Sequence, residues 1–547
     1  MKKKLWLTIV LGAAVGLSAC GTAGNSVGKN GSDVAQEEKS ENQISEVGEV
    51  SGSAISSGES ASGETVSGQA VSGETIKNSK DGGHAIEVDG KKESYEDVKV
   101  VKTGNSEGDD ADFYGENSAI FATNGAELNL TNIRVDTDGT HANAVFSYGE
   151  KTTVNISNSQ INTSNNCSGG LMTTGGGTMN ADNLVIYTKG NSSAAIRSDR
   201  GGGTVTVTKG SYTTDGTGSP VIYSTADITV SNATLTSTAS QGVVVEGKNS
   251  VRLKNVTLTA DNNKKNSDKS KYYQAVMIYQ SMSGDAAQGA ATFGMEGGTL
   301  VNKNGDIFFV NNTVATITLK NAKITNEDSK GIFLRAAAAG WGSEGSNGGN
   351  VTVKASKQTI KGDIVVDDVS TLNLYLADSS KFKGAVNSDG KTGSVYVELK
   401  GNSTWTLTAD SYITSLTCAK KSINLNGHTL YVNGKKYKAG TKSSGKAVEA
   451  KFGSSGKSGS KTGSKTDSNS SDKKTGERKA GNGRPSGKPE GRLEGRSGSH
   501  SGNSGDKSGS GNRGNRNHTD GKGHHNGKPS GTPPAKPEGE KDYGNVS

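Results

Sequence analysis

A short unit that recurs through the middle of the chain constrains the fold more than any other feature. It reads apolar, any, apolar, polar, Asn, any, any, apolar, and most copies begin 23 to 26 residues apart. Repeats of this period indicate a solenoid in which each unit stacks on the one before. The clear copies open with Leu128–Asn132, Val154–Asn158, Met179–Asn183, Ile228–Asn232, Val251–Asn255 and Ile317–Asn321. Degenerate copies begin at Val205, Phe293 and Val351, where Lys209, Gly297 and Ala355 replace the asparagine.

A second apolar segment precedes most copies, as in Ala119-Ile-Phe and Ile332-Phe-Leu. Each repeat therefore holds three short strands whose residues alternate between the inside and the outside. Asn tolerates a left-handed backbone and suits a corner between strands, and stacked Asn side chains would hydrogen-bond from coil to coil. The pattern predicts an all-β parallel β-helix with three strands per coil. The two rival folds do not match this spacing, because a propeller blade needs about 40 residues and a sandwich needs hairpin turns.

Composition agrees with a thin core between low-complexity tails. Only 30% of the 547 residues are hydrophobic, which suits a narrow apolar column flanked by segments that cannot bury enough surface to fold. We predict a Ser/Gly/Glu-rich disordered stalk over 20–82, the β-helix over 83–437 and a disordered Gly/Ser/Lys-rich tail over 438–547.

The C-terminal tail carries the excess positive charge of the chain. Residues 441–547 contain 21 Lys and Arg against 11 Asp and Glu, a net charge of +10, whereas the whole chain carries +7. A cationic tail predicts contact with an anionic cell-wall polymer such as teichoic acid, or with lipid headgroups. Without interleaved aromatic residues it does not predict specific nucleic-acid binding. A tail that only aids solubility is the alternative.

The N-terminus predicts export and a lipid anchor. Three lysines precede the apolar stretch from Leu5 to Leu17, which is too short for a stable membrane span. The sequence Leu17-Ser-Ala-Cys20 then resembles the lipobox of bacterial lipoproteins. The resemblance implies a signal peptide over 1–19, lipidation of Cys20 and attachment to the outer face of the bacterial cell membrane.

The end of the repeat region carries a more specific pattern. Ser403-Thr-Trp405, followed by Ser411-Tyr-Ile413 and Leu416, resembles the segment that ends the β-helical passenger domains of bacterial autotransporters and related adhesins. The resemblance covers roughly residues 83–437, with a cap region from about 364. It implies a right-handed, pectin-lyase-like β-helix on the cell surface. Autotransporters end in a membrane barrel, which residues 441–547 cannot form, so self-translocation does not carry over.

Long inserts between strands indicate where a ligand would bind. Ser281–Ala291 and Ala336–Asn350 leave the same corner two coils apart, and Asp261–Tyr273 leaves another corner. Loops on a rigid scaffold are frequent binding sites. An exposed Trp341 would stack on a sugar ring, with Tyr272 and Tyr273 as further ligand-binding candidates. The alternative for Trp341 is a structural role, folded back onto the coil.

The sequence favours binding over catalysis. Glycoside hydrolysis needs paired carboxylates and a lyase needs an acidic cluster with a base, but Asp and Glu do not recur at one phase of the repeat. We therefore expect no catalytic residues, no cofactor and no metal site, and two unpaired thiols at Cys167 and Cys418. The expected function is adhesion or glycan binding by a lipid-anchored surface protein. A polysaccharide lyase or hydrolase, and a structural envelope protein whose tail binds wall polymer, are the alternatives.

Overall fold

The computed structural model describes residues 73–330, 332–391 and 393–450. Within these residues the chain winds through three long parallel sheets in a fixed cyclic order, so that every third strand returns to the same sheet. This is the predicted parallel β-helix with three strands per coil. The predicted signal peptide, Cys20, most of the stalk and the tail beyond residue 450 lie outside the described residues.

Sheet A forms one side of the helix with ten strands. Its strands are β1 (Thr75–Asn78), β4 (Lys99–Lys102), β7 (Arg134–Thr137), β10 (Gln160–Thr163), β13 (Val185–Thr188), β16 (Ser211–Thr214), β19 (Thr234–Ser237), β22 (Thr257–Ala260), β25 (Thr299–Asn302) and β28 (Lys323–Asn326).

Sheet B forms the second side with eleven strands. Its strands are β2 (Ile86–Asp89), β5 (Ile120–Thr123), β8 (Val145–Tyr148), β11 (Leu171–Thr174), β14 (Ile196–Ser198), β17 (Ile222–Ser224), β20 (Val243–Glu246), β23 (Gln274–Tyr279), β26 (Asp306–Asn311), β29 (Ile332–Ala336) and β32 (Asp363–Val366).

Sheet C forms the third side with thirteen strands. Its strands are β3 (Lys92–Glu96), β6 (Glu127–Thr131), β9 (Thr153–Ser157), β12 (Gly177–Asp182), β15 (Gly203–Thr208), β18 (Asp227–Ser231), β21 (Ser250–Lys254), β24 (Ala290–Glu296), β27 (Thr313–Lys320), β30 (Gly349–Ser356), β33 (Thr371–Ala377), β35 (Ser394–Leu399) and β38 (Ser415–Thr417).

Two short sheets complete the C-terminal end. Sheet D takes over the side of sheet A with β31 (Thr359–Lys361), β34 (Lys381–Lys383), β36 (Thr404–Thr406) and β39 (Ile423–Asn424). Sheet E contains β37 (Ser411–Ile413), β40 (Leu430–Val432) and β41 (Lys435–Lys436). Strand β41 runs antiparallel to β40, which closes the last exposed edge of that sheet against further parallel pairing.

The described residues contain one helix, α1 (Asp109–Phe113), and no helix long and apolar enough to span a membrane. Its Phe113 side chain is buried, and the guanidinium carbon of Arg200 lies 3.7 Å from the centre of that ring. The Phe113 carbonyl accepts a hydrogen bond from the Thr174 hydroxyl at 2.8 Å. The helix therefore packs against the outer surface of sheet B.

The asparagine corners are confirmed. Asn158, Asn183 and Asn232 have left-handed backbones with φ of 48°, 56° and 55°. Asn183 Nδ2 donates to Asn158 Oδ1 at 2.9 Å, one coil away. The degenerate copy at Lys209 has φ of 61°, so the corner keeps its shape without the amide.

The boundaries and one register differ from the prediction. Strand β1 already belongs to sheet A, so the β-helix begins before residue 83. At the other end, Cys418 pairs with Ser443, and Asn373 Nδ2 donates to the Val448 carbonyl at 2.9 Å. The fold therefore extends past residue 437. The copy placed at Val351 begins two residues later, because Val353 pairs with Ile317 and the left-handed corner is Lys357.

The core is a continuous apolar column along the helix axis. Phe308 lies between two other buried rings, with its centroid 5.6 Å from that of Phe293 and 5.4 Å from that of Phe333. Towards the C-terminal end, Phe382 stacks on Trp405 at 5.4 Å, and Trp405 Nε1 donates to the Gly384 carbonyl at 2.9 Å. The interior of each coil is narrow and is filled by side chains from all sides, so a continuous core forms although few residues of the chain are hydrophobic.

Candidate functional site

The first two predicted inserts form the walls of a surface cleft. One joins β23 to β24 and the other joins β29 to β30, and one coil with a tight turn lies between them. The backbone N–H of Gly342 donates to Met282 Sδ at 3.2 Å, so the two inserts touch. The cleft encloses about 500 Å³. The prediction that both inserts leave one corner two coils apart is confirmed.

The lining of the cleft is uncharged and combines polar side chains with apolar surface. Its residues are Gln280, Ser281, Met282, Gln288, Gly289, Asn312, Thr313, Val314, Gly342, Ser343, Ser346, Gly348 and Asn350. Among these described residues none carries a charge. Met282 is 56% exposed and supplies an apolar contact at the rim.

Buried amides hold the inserts in place. Asn347 Nδ2 donates to the carbonyls of Ala339 and Trp341, each at 2.8 Å. Asn312 Nδ2 donates to the Gln280 carbonyl at 2.8 Å, which ties the middle coil to the first insert. Because these bonds satisfy loop carbonyls that would otherwise be buried unpaired, the walls of the cleft are preformed.

Trp341 lies beneath the cleft and does not line it. Its side chain is 1% exposed and packs edge-on against Tyr279, with ring centroids 5.2 Å apart. The expectation of an exposed Trp341 is therefore wrong, and the alternative structural position is the one observed. The indole sits in an apolar layer outside the helix lumen, on the outer face of sheet B.

Tyr272 and Tyr273 are half-buried and also lie away from the cleft lining. The Tyr272 ring packs 5.3 Å from that of Phe309, with the Arg335 guanidinium carbon 4.2 Å from its centre. The Lys265 ammonium lies 5.8 Å from the Tyr273 ring. The structure thus brings Tyr272 and Trp341 into one apolar cluster but joins neither to the cleft surface. Their ligand-binding role stays a prediction.

A cluster of buried charges, which the sequence did not predict, occupies the same outer face of sheet B. Arg197 and Asp199 form an ion pair at 2.9 Å, with both side chains almost fully buried. Arg200 Nε contacts Asp285 Oδ1 at 2.8 Å, and Asp285 belongs to the first insert. Glu246 ends β20 and is fully buried. Carboxylates from separate coils therefore meet beside one insert.

Burial affects the ionisation of two of these carboxylates, Asp199 and Glu246. It raises the pKa of Asp199 to about 7, with Arg197 acting in the opposite direction and Asp285 adding to the shift. It also raises the pKa of Glu246, although the hydroxyls of Tyr223 and Tyr279 donate hydrogen bonds to its Oε2. Desolvation disfavours the charged form of an acid, so Asp199 and Glu246 hold protons more tightly than exposed carboxylates do.

The acidic cluster corrects the sequence-based expectation that acidic residues do not gather. Asp199 follows β14 directly and Glu246 is the last residue of β20, so both stand at the carboxyl ends of sheet B strands. Buried acidic residues at that recurring position were the available signal. Asp199, Glu246 and Asp285 are each at most 5% exposed, and within the described chain none of them lines the cleft.

A third group lies near α1. Asp112, His141 and Cys167 are buried with candidate ligand atoms within 4.8 Å of one another, and His141 Nδ1 lies 3.0 Å from Asp112 Oδ1. The Cys167 sulfur is in a disulfide bond, so it does not offer a thiolate to a metal ion. The expectation of an unpaired thiol is wrong for Cys167. It is confirmed for Cys418, which is free and buried.

Comparison with known proteins adds no relative. No protein-family model matches the chain, and no curated protein or solved structure is significantly similar to it. The functional argument therefore rests on the geometry of the described residues.

Proposed function

We propose that this chain is a lipid-anchored cell-surface protein whose β-helix presents the insert cleft for adhesion or glycan binding. The observation that carries the proposal is the neutral, amide- and hydroxyl-lined cleft between the two inserts. Sugar hydroxyls donate and accept hydrogen bonds at once, and Gln, Asn and Ser side chains do the same. A preformed cleft on a rigid scaffold lowers the ordering cost of binding.

Glycan-array binding of the purified full chain tests the cleft. Gln288 and Met282 are exposed lining residues. Gln288→Ala removes a lining contact and leaves the packed amides intact, whereas Met282→Ala also removes the acceptor of the Gly342 N–H. We expect each to weaken binding to a recognised glycan by about 3- to 10-fold, the value of one hydrogen bond or apolar contact. Gln160→Ala on the outer face of sheet A is the matched control. Equal loss in all three variants, or no glycan bound at all, contradicts the proposal.

The anchor has its own test. A lipidated Cys20 would leave the protein in the membrane fraction of producing cells, and Cys20→Ser would release it. Cys418→Ser is the matched control, because Cys418 lies at the far end of the described fold and keeps the signal sequence intact. Mass spectrometry of the N-terminal peptide gives the direct readout. The chain has three cysteines and Cys418 is free, so within one chain the disulfide of Cys167 and the lipid would compete for the Cys20 sulfur. An unmodified Cys20, or a Cys20–Cys167 disulfide in the peptide map, contradicts lipidation.

A polysaccharide lyase or glycoside hydrolase is the second candidate, and the carboxylate cluster is the observation that favours it. Paired carboxylates of unequal pKa are the requirement for glycoside hydrolysis. Against it stands the near-complete burial of Asp199 and Glu246, since an active site needs an open route for substrate. Incubation with pectin, alginate and glucan, followed by an assay for new reducing ends or unsaturated products, decides it. Product that disappears in Glu246→Gln would establish catalysis.

A further inference from the structure

Four exposed lysines form a stripe along the last coils on the side of sheets A and D. Lys323 begins β28 and Lys361 ends β31, whereas Lys381 and Lys383 are the first and last residues of β34. Lys361 and Lys383 are direct register partners in neighbouring parallel strands, which places their backbones about 4.8 Å apart. We call these four residues the lysine stripe.

The stripe stands on a rigid base. Ile360 and Phe382 alternate with the lysines and point into the core, and Phe382 stacks on Trp405. Gln358 joins the coils beneath by accepting from the Ala322 N–H at 2.9 Å and donating to the Ala322 carbonyl at 2.7 Å. The four ammonium groups therefore have anchored backbones and a fixed order along the helix axis.

Elsewhere on the outer faces, charged residues that oppose each other in neighbouring coils are compensated by a carboxylate, although isolated lysines such as Lys189 and Lys354 form no ion pair in the described chain. Lys92 contacts its register partner Glu127 at 2.8 Å, and Lys320 contacts its register partner Glu296 at 2.7 Å. Even the like-charged neighbours Lys99 and Arg134 share the carboxylate of Asp136.

The lysine stripe departs from this rule. Within the described residues none of its four side chains forms an ion pair with a carboxylate, and the outer face of sheet D presents only Lys, Thr and Asn. Like charges at directly opposed positions destabilise a sheet. Lys361 and Lys383 oppose each other directly without a carboxylate between them, and this repulsion is a cost that a bound anion would remove.

We propose that the lysine stripe is a docking surface for a linear inorganic polyphosphate chain that runs along the helix axis. Lys361 and Lys383 supply charge one coil apart, at a step of about 4.8 Å, and Lys381 and Lys383 supply it about 7 Å apart along β34. Ammonium groups bind phosphate as point charges and need no fixed fork geometry. A flexible chain with one charge per repeat unit satisfies several of them at once.

A soluble polymer fits this surface better than a lipid bilayer does. Proteins that bind membranes stably through basic residues add an apolar or lipid group beside those residues, and the lipid proposed at Cys20 is attached at the opposite end of the sequence from the stripe. The large exposed apolar side chains of the described chain are Tyr114, Tyr187 and Met282, and none belongs to sheet D. The stripe is also narrow, with one or two lysines on each of three strands, and not a broad face.

Salt-dependent binding of the full chain to long-chain inorganic polyphosphate tests the inference. The variant replaces Lys361, Lys381 and Lys383 with Gln. The matched control removes the same charge from exposed Lys189, Lys254 and Lys354. Both keep the basic tail, so a difference between them belongs to the lysine stripe.

We expect the stripe variant to bind polyphosphate about tenfold more weakly, from three ion pairs of roughly 0.5 kcal/mol each. The slope of log K against log salt should also fall by about 2, since each phosphate contact on a single strand contributes about 0.7. The control should change affinity less than about twofold. Equal losses in both variants, or none, overturn the inference. A loss confined to phosphatidylglycerol vesicles overturns the choice of a soluble polymer. Failure of the glycan-array test leaves this result unaffected, because the cleft residues are intact in both variants.

Discussion

The left-handed corners make a quantitative prediction about stability. Asn158 has φ of 48° and accepts a hydrogen bond from Asn183 on the next coil. Lys209 occupies the same kind of corner with φ of 61°, but its side chain has no amide to hydrogen-bond with the corner residues of the neighbouring coils. A left-handed backbone costs an ordinary side chain roughly 1–2 kcal/mol, and Asn adopts it more readily. An exposed neutral hydrogen bond adds about 0.5–1 kcal/mol.

Two substitutions should therefore act in opposite directions. Asn158→Ala places an ordinary side chain on a left-handed backbone and removes the hydrogen bond from Asn183. The protein should lose about 1.5–2.5 kcal/mol of stability. Lys209→Asn lowers the cost of the left-handed backbone and adds an amide between Asn183 and Asn232 in the row of stacked corner residues. The protein should gain about 1–1.5 kcal/mol of stability. Asn158→Gly is the control, because it keeps the backbone conformation accessible and loses mainly the hydrogen bond.

Equilibrium urea unfolding measures these effects, with native-state hydrogen exchange at the substituted coil as a local readout, since solenoids couple mainly to nearest neighbours. The reasoning is refuted if Lys209→Asn fails to stabilise the protein. It is equally refuted if Asn158→Ala and Asn158→Gly cost the same, because the backbone contribution would then be absent.

Three further predictions concern buried groups. Burial raises the pKa of Glu246 above its usual 4.5, so the native state binds the proton more tightly and stability falls as pH rises from about 4.5 towards the folded pKa. Glu246→Gln should flatten that fall, gaining stability at pH 7.5 but not at pH 4.5, and an unchanged pH profile of unfolding would contradict it. Phe308→Ala removes the middle ring of a buried row and should cost about 3–5 kcal/mol in urea unfolding, whereas a loss below about 1 kcal/mol would contradict the packing. Cys418 is 3% exposed, so a thiol reagent should label it only after unfolding, and fast labelling of the native protein would argue against its burial.

The sequence predicted those features that a single residue type encodes locally. Asn at a corner reports a left-handed backbone directly, and the strand pattern reports which residues face inward. The shift of the Val351 copy to Val353 has a simple cause. Val351, Val353 and Ala355 all face the core of β30, so a slip of two residues preserves the apolar face and only a one-residue slip is penalised.

The features that the sequence did not predict depend on contacts between distant coils. Arg197 and Asp199, Glu246 and Asp285 come from two coils and an insert, and their convergence follows from stacking and from the path of that insert. The burial of Trp341 is decided by its packing on Tyr279. Asp199 and Glu246 do share one position of the repeat, but Asp285 and Trp341 lie in the inserts and carry no periodic signal. The two inserts themselves were predictable, because each interrupts an otherwise regular spacing.

The coil stack makes distance along this protein a discrete quantity. Every coil advances the chain by the same strand spacing of about 4.8 Å, and most units contain 23 to 26 residues. Gain or loss of one unit by gene duplication or recombination would lengthen or shorten the helix by a whole step and leave the neighbouring surfaces unaltered. The separation between the insert cleft and the lysine stripe can therefore change between related chains in fixed increments, so that evolution would tune how two ligands are spaced independently of how tightly each one binds.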